Sequence, residues 1–226
     1  MRTSAAWENA DMEFLIVATV TGGLFVDQHW LPYGQPVVDV FAWGVLLLLL
    51  KKSTREQRPA LVACLVIATA GEVFLSLGWG LYTYRLENIP LFVPPGHVLL
   101  FHLGMRIAER LPARSEWWIA AMAAPIVAWF ALHGRDTLSP LLYALFIACM
   151  WLSPSRRLYA TMFVLSLAME LYGTWLGNWV WAHDVPWLGL ATTNPPLAAG
   201  AFYCVLDLLV VTLTKRHAAV PAKAGI

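Results

Sequence analysis

Long hydrophobic runs, separated by short polar segments, follow one another along most of the chain. Because an α-helix needs ~20 mainly apolar residues to cross a bilayer, these runs predict eight membrane-spanning helices. The predicted helices cover residues 12–30, 36–50, 59–82, 94–110, 117–133, 138–153, 157–181 and 195–214. The second and sixth runs are short, so polar neighbours must extend them. Seven crossings remain an alternative if one pair of segments is re-entrant.

Two stretches of the chain share the same order of residues. Each has a glutamate inside an apolar run, then a glycine, two aromatic residues separated by one position, a proline, a proline pair and a second apolar run. The first copy contains Glu72, Gly80, Tyr82, Tyr84, Pro90 and Pro94-Pro95, and the second contains Glu170, Gly177, Trp179, Trp181, Pro186 and Pro195-Pro196. The shared order indicates an internal duplication. The sequence therefore predicts an all-α polytopic membrane protein with two parallel four-helix repeats, residues 1–114 and 115–226.

The basic residues predict the orientation of these helices. In an eight-helix count, most of the charged lysines and arginines fall in segments on one side of the membrane: Lys51, Lys52, Arg55, Arg58, Arg106, Arg110, Arg114, Arg156, Arg157, Lys215 and Arg216. The opposite loops hold only Arg85 and Arg135. The positive-inside rule then places both termini on the cytoplasmic side of the plasma (inner) membrane. The polar N-terminal segment lacks the basic-then-apolar order of a cleavable signal peptide.

Composition supports a membrane protein. The chain is 59% hydrophobic and 13% charged, with a mean hydropathy of +0.63, whereas soluble domains are ~45–50% apolar and ~25% charged. The net charge of +1 gives no reason to expect a nucleic-acid partner. The expected partners are the lipid bilayer and a hydrophobic small molecule. Cys64, Cys149 and Cys204 lie inside apolar runs, and their odd count argues against a disulfide framework.

Four ionisable side chains fall near the middle of predicted helices: Glu72, His102, Glu170 and Asp207. Each costs ~2.5–3.5 kcal/mol to insert into hydrocarbon on translocon scales, so a functional role is one explanation. When Gly96 is aligned with Gly200, His102 falls within one residue of Asp207. Each half then offers a carboxylate and a second protonatable group, and we expect the four side chains to face one another. The alternative is that these groups only form hydrogen bonds that fix helix packing.

Other polar residues leave more than one interpretation open. Asp27 and Asp39 lie at outer helix ends, where they either line a cavity or rest at the headgroup level. His97 is either an interfacial residue or a site residue, and Arg85 either pairs with Glu87 or binds the polar end of a substrate. The outer-loop histidines His29, His133 and His183 are interpreted as solvated.

Metal-binding motifs are missing from the sequence. His97 and His102 are five residues apart, a spacing that does not place two ligands on one helical face, and no HExxH or CxxC occurs. The sequence therefore predicts neither a metal nor another cofactor.

The segment Glu72, Gly80-Leu81-Tyr82-Thr83-Tyr84, Pro90 and Pro94 resembles the small multi-helix membrane proteins of carotenoid biosynthesis, the bacterioruberin-precursor hydratases and their lycopene-cyclase-like relatives. The second copy, from Trp179 to Asn194-Pro195, is similar. The resemblance implies cofactor-free proton chemistry on a long polyene, as in a hydratase or cyclase. It implies that Glu72 and Glu170 are the acid and base. The predicted catalytic set also includes His102 and Asp207, from their positions near the middle of predicted helices. The aromatic residues that the resemblance implies at the cation are Trp79, Tyr82, Tyr84, Trp175, Trp179 and Trp181, and Arg85, His97 and Asn194 complete the predicted substrate-binding set.

Two other functions fit the same sequence features. Parallel repeats with acids at mid-membrane also suit a small proton-coupled transporter. A non-catalytic membrane subunit, whose polar residues bind the helices of a partner, is a third interpretation. The sequence favours an enzyme of isoprenoid, carotenoid or lipid metabolism that uses intramembrane carboxylates.

Overall fold

A computed structural model of the chain describes the backbone of residues 2–219 and the side chains of residues 10–214. Within these residues the protein is mainly helical, as the hydrophobic pattern predicts. The eight helices are α1 (Arg2–His29), α2 (Gly34–Lys52), α3 (Arg58–Glu72), α4 (Val93–Arg110), α5 (Ser115–Leu132), α6 (Ser139–Leu152), α7 (Arg156–Leu176) and α8 (Gly200–Ala219). The side chains of Lys215 and Arg216, used in the orientation prediction, lie outside the described residues.

Three of the helical segments are long and apolar enough to cross a membrane, judged by length and composition. They are Gly34–Lys52, Arg58–Gly78 and Ser115–Leu132. Ser139–Leu152 and Gly200–Thr214 are apolar as well but shorter. These segments support membrane-spanning character for part of the helical bundle.

Proline and glycine set several of the helix boundaries. The first turns of α3, α4 and α6 contain Pro59, Pro94 and Pro140. Backbone N–H groups in a first turn have no acceptor within the helix, so a proline there removes no helical hydrogen bond. The helix α7 ends before Gly177, which has φ of 86°. The Gly177 and Asn178 amides both donate to the Gly173 carbonyl, at 3.0 and 2.9 Å. Only a residue that tolerates a left-handed conformation forms this kind of C-terminal cap without strain.

The third helix changes its winding next to Glu72. The α-helical part ends at Glu72, and residues Val73–Gly78 continue as a π-helix. Such segments are rare and are frequently found at functional sites. The wider turn follows directly on Glu72, one of the two glutamates that the sequence analysis singled out.

A short β-ladder replaces the C-terminal ends of the predicted third and seventh helices, and a second ladder lies in the loop before α8. The strands β1 (Tyr82–Tyr84) and β2 (Trp179–Trp181) pair antiparallel, with Tyr82 opposite Trp181 and Tyr84 opposite Trp179. The strands β3 (Asp184–Val185) and β4 (Leu190–Ala191) form a second pair. The predicted helices 59–82 and 157–181 are therefore too long at their C-terminal ends. The reason is that Gly80 and Gly177, both at positive φ, break the helical path before the aromatic pairs.

The centre of the molecule is formed by α3, α4, α7 and α8. The helix α3 packs on α4 and α8, and α7 packs on α8 and α4. The helices α1 and α2 pack on each other, as do α5 and α6. The two halves of the chain are thus joined both through the central helices and through the β1–β2 ladder.

Asp136 fixes the second half of the fold, because its carboxylate accepts four hydrogen bonds while fully buried. The donors are the Ser139 amide (2.9 Å) and hydroxyl (2.6 Å), the Thr193 hydroxyl (3.0 Å) and the Leu197 amide (2.8 Å). Leaving buried donors without partners costs ~1–3 kcal/mol each, so we expect Asp136→Ala to lower the free energy of unfolding by at least ~3 kcal/mol. Thermal unfolding in detergent measures this loss.

The matched control for Asp136→Ala is Asp184→Ala. The Asp184 side chain is 97% exposed, and its one hydrogen bond within residues 10–214 is with the neighbouring His183. We expect its unfolding midpoint to stay at the wild-type value. An equal loss in both variants would contradict a structural role specific to Asp136.

Candidate functional site

A cavity of about 530 Å³ lies between the central helices and the β1–β2 ladder. Its walls come from α1, α2, α3, α4, α6, α7 and α8, and from the π-helix that follows α3. The lining is mainly aliphatic and aromatic, with a small set of polar side chains on one side. Its size falls within the ~300–1,000 Å³ of pockets that enclose drug-sized ligands, and a few convergent polar groups are typical of such pockets.

Glu72 is held by three side chains. Its Oε2 atom accepts hydrogen bonds from the Tyr82 and Tyr84 hydroxyls, at 2.8 and 2.7 Å. Its Oε1 atom lies 2.8 Å from His97 Nε2. The two tyrosines reach the carboxylate because alternate residues of β1 face the same side of the ladder. Glu72 is only 6% exposed, so its carboxylate contacts other side chains of the chain rather than bulk water.

Glu170 occupies the corresponding position in the second half. Its Oε2 atom accepts hydrogen bonds from the indole N–H groups of Trp179 and Trp181, at 2.8 and 3.0 Å. The Tyr203 hydroxyl lies 3.3 Å from Oε1. Each glutamate is therefore bound by both aromatic residues of the strand that follows it in sequence, which is the same arrangement twice.

Aromatic contacts link the two glutamates on two sides. The Tyr82 ring, bound to Glu72, lies 4.8 Å from the Trp181 ring, bound to Glu170. On the other side, the His97 and Tyr203 rings stack with centroids 4.8 Å apart. The carboxylates and these rings together form one continuous polar and aromatic cluster, which we call the diglutamate cluster and which comprises Glu72, Tyr82, Tyr84, His97, Glu170, Trp179, Trp181 and Tyr203.

The hydrogen-bond partners of the two glutamates differ in whether they can only donate or can also accept. An indole N–H only donates, so Glu170 Oε2 must act as an acceptor. The Tyr203 hydroxyl both donates and accepts, so a proton can reside on Glu170 Oε1 without displacing an obligate donor. The His97 ring nitrogen either donates to Glu72 or accepts from it, depending on the tautomer. The site therefore has defined positions where a proton can be placed and exchanged.

Most of the predicted site residues converge on this cavity. Those that line it are Glu72, Trp79, Tyr82, Tyr84, His97, Glu170, Trp179 and Trp181. Trp79 is oriented by its indole N–H, which donates to the Pro186 carbonyl at 2.9 Å. His97, for which the sequence left two interpretations open, lines the cavity beside Glu72.

His102 and Asp207 do not join the two glutamates, which corrects the expectation that the four side chains face one another. His102 is five residues beyond His97, about 140° around the helix, and the charged groups acting on it are Arg106, Glu13 and Glu109. Asp207 is one turn beyond Tyr203 on α8. It is 1% exposed, and neither of its oxygens has a hydrogen-bond partner within the described part of the chain.

Three residues predicted to bind substrate also lie outside the cavity. Arg85 forms an ion pair with Asp27, 3.0 Å between Nη2 and Oδ1, rather than with Glu87. Trp175 is 78% exposed on the outer face of α7. Asn194 accepts a hydrogen bond from the Trp181 amide at 3.0 Å, so it positions a cavity residue without reaching the cavity. Asp27 and Asp39 do not line the cavity either.

Tyr203 is the site residue that sequence reasoning missed. It lies in an apolar run three residues after Gly200, and no spacing in the sequence sets it apart. The pairing of β1 with β2 was missed for the same reason, because it joins segments about a hundred residues apart. The repeat itself was the available signal, since it places two aromatic pairs in equivalent positions.

Among residues 10–214, no group of three or more His, Cys, Asp or Glu side chains is placed to hold a metal ion. No family model, curated protein or solved structure matches the chain.

Proposed function

We propose that this protein is an integral membrane enzyme of isoprenoid, carotenoid or lipid metabolism that hydrates or cyclises a polyene by carboxylate acid–base chemistry, without a metal. The observation that carries the proposal is the diglutamate cluster. Two buried carboxylates, each bound by a pair of aromatic donors, border one apolar cavity. An apolar cavity with a proton-exchanging side suits a substrate that has carbon–carbon double bonds and little else.

The proposed chemistry begins with proton transfer to a double bond of the substrate. A carboxylic acid of the cluster gives up its proton, one alkene carbon forms a new C–H bond, and the neighbouring carbon becomes a cation. In hydration, water then forms a C–O bond and returns a proton to a carboxylate. In cyclisation, a second alkene forms the new C–C bond, and the resulting cation loses a proton to a carboxylate of the cluster, which becomes an acid again. Acid–base steps of this type contribute ~10²–10⁴-fold to rate.

The aromatic members of the cluster support this chemistry. Tyrosine and tryptophan faces attract a nearby cation with ~0.5–2 kcal/mol. Trp79, Tyr82, Tyr84, Trp179 and Trp181 all line the cavity. An intermediate formed beside Glu72 or Glu170 would therefore lie among aromatic side chains.

The proposal includes the full membrane architecture. In it, all eight helices span the bilayer as two parallel four-helix repeats, with both termini in the cytoplasm of a plasma-membrane protein. The equivalent binding of Glu72 and Glu170 supports the duplication, and pairing of β1 with β2 supports a site shared by both halves. The relation to carotenoid-biosynthesis enzymes is part of this proposal.

A proton-coupled transporter is the second candidate function. Asp207 favours it, because its buried carboxyl lies outside the cavity and has no hydrogen-bond partner among residues 10–214, a feature of proton pathways through membranes. A transporter would move its substrate unchanged, whereas an enzyme would alter it.

Comparison of lipid extracts tests the proposal. Cells that synthesise isoprenoids, with and without the protein, are extracted and analysed by mass spectrometry. We expect a new species that differs from its precursor by the mass of one water molecule, or an isomer of equal mass with a different retention time. Extracts without any altered isoprenoid or lipid would contradict an enzyme, and coupled flux in vesicles would then favour the transporter.

A further inference from the structure

A groove on the outside of the protein adjoins the cavity. It runs along α3 and the π-helix, and its residues are Trp43, Leu65, Val66, Thr69, Ala70, Val73, Phe74, Leu77, Gly78, Leu91 and Pro94. Ala70 and Phe74 line both the groove and the cavity. The two spaces therefore meet at the side chains of Ala70 and Phe74.

The helix packing leaves this side of the cavity open. In the second half, α6 packs directly on α7. In the first half, α2 packs on α1 and α4, and no close packing of α2 on α3 occurs within the described residues. The two halves thus differ where the repeat would place equivalent contacts, and the groove lies on the side where α2 and α3 are apart.

Through its side chains, the groove offers a bound molecule no unpaired hydrogen-bond donor. Its two polar side chains are already satisfied by backbone carbonyls, since the Trp43 indole donates to Leu91 at 3.0 Å and the Thr69 hydroxyl to Leu65 at 2.7 Å. The remaining side chains are hydrocarbon, and several are largely exposed, with Leu77 at 64% and Phe74 at 55%. A saturated or polyene chain fits such a surface, whereas a polar molecule gains nothing there.

Phe74 is placed to control the passage. It lies in the π-helix, two residues after Glu72, and its ring is 5.9 Å from the Trp79 ring, which also lines the cavity. An exposed side chain changes rotamer in picoseconds to nanoseconds. Rotation of the Phe74 ring would join the groove and the cavity without movement of the helices.

We propose that the gap between α2 and α3 is the lateral entrance for the substrate, and that the substrate is a linear isoprenoid chain longer than the cavity. Its reacting end lies beside the diglutamate cluster, its chain passes Ala70 and Phe74, and the remainder lies in the groove against the bilayer. This inference rests on the proposed function. It adds the substrate class and the route by which a molecule dissolved in lipid reaches Glu72.

Photo-crosslinking tests the occupant of the groove directly. Benzoyl-phenylalanine is introduced at Leu77, in the groove, and in a second protein at Leu132, which is 86% exposed and lies outside it. Each protein is irradiated in phosphatidylcholine nanodiscs that contain lycopene as the linear polyene. We expect lycopene adducts at Leu77 and phosphatidylcholine adducts at Leu132. Phosphatidylcholine adducts alone at both positions would show ordinary lipid contact and overturn the proposal.

A steric block tests the passage independently. Ala70→Phe places a ring in the wall between groove and cavity, and the control Val62→Phe adds the same ring on the same helix at an exposed position that lines neither space. We expect product to fall by about tenfold or more in Ala70→Phe, since misplacement of a substrate costs up to ~10²-fold, and to stay unchanged in Val62→Phe. Lycopene adducts at Leu77 should persist in both.

The outcomes separate the two proposals. If the wild-type protein forms product and Ala70→Phe forms it equally well, the entrance is elsewhere and the enzymatic function stands. If the wild-type protein forms no product, the enzymatic function fails, and the adducts at Leu77 alone decide whether the groove binds a polyene.

Discussion

Replacing Glu170 with glutamine is expected to abolish product formation and leave the fold intact. The amide oxygen of glutamine can accept the two indole N–H groups that Glu170 Oε2 accepts now, at 2.8 and 3.0 Å. Its NH₂ group can donate to the Tyr203 hydroxyl, which both donates and accepts. The hydrogen bonds are kept, but the proton that a carboxylic acid carries is lost. Loss of a general acid or base lowers the rate by ~10²–10⁴-fold.

Glu72→Gln is the companion change, and the same argument applies to it. Its amide oxygen can accept the Tyr82 and Tyr84 hydroxyls, and its NH₂ can donate to His97 Nε2 in the neutral tautomer. The measurement is product per folded protein in membranes, quantified by mass spectrometry together with the thermal midpoint. Glu56→Gln, at an exposed position between α2 and α3, is the control that makes the same chemical change without touching the cavity.

Normal product from a protein carrying both Glu72→Gln and Glu170→Gln would exclude carboxylate acid–base catalysis. Loss of product with a lower thermal midpoint would instead assign the glutamates to folding. The structural and chemical roles of the glutamates can therefore be distinguished. Glutamine keeps the hydrogen bonds of the structural role and removes the acidic proton of the chemical role.

Local features of the sequence were enough to predict the helices and the two acids. A run of apolar residues is a property of adjacent positions, so the eight helical segments were found from the sequence. Their ends were less accurate: the first helix, predicted from residue 12, begins at Arg2, and the third, predicted to end at residue 82, leaves the α-helical path after Glu72. Glu72 and Glu170 stood out because an acid in such a run is costly. The aromatic pairs at 82 and 84 and at 179 and 181 were found through their repeated spacing.

The remaining features depend on contacts between distant segments. The hydrophobic pattern could not show that Gly80 and Gly177 end the helical path, so the strands were assigned to helices. Alignment of the halves gave His102 nearly the same position in the first half as Asp207 in the second, but the helical rotation between His97 and His102 directs the two histidines to different surroundings. Tyr203 joins the site only through the packing of α8 on α7 and α3, which no single segment encodes.

Gly173 leaves the space that the Trp179 indole needs to bind Glu170. Gly173 lies on α7, one turn after Glu170, and a methyl group at its Cα would overlap the six-membered part of the Trp179 indole. The same indole donates to Glu170 at 2.8 Å. The absence of a side chain at position 173 is therefore what allows Trp179 to lie over the helix and reach the carboxylate.

Gly173→Ala is accordingly expected to destabilise the protein and to reduce product formation. Overpacking a buried contact costs ~1–3 kcal/mol, which exceeds the ~0.5–1 kcal/mol that alanine gains over glycine inside a helix. Moving the ring also removes one donor from Glu170 and disturbs the pairing of Trp179 with Tyr84. Thermal unfolding in detergent and product quantification measure the two effects.

Gly44→Ala is the matched control, because Gly44 lies inside α2 and a Cβ there meets no atom within 4 Å. We expect it to unfold at the same or a higher temperature than the wild type and to form normal product. If Gly173→Ala behaves like Gly44→Ala, the Trp179 ring can shift at no cost, and its bond to Glu170 does not hold the acid in place. If Gly173→Ala alone loses both stability and product, the position of the indole over α7 is required for the acid to work.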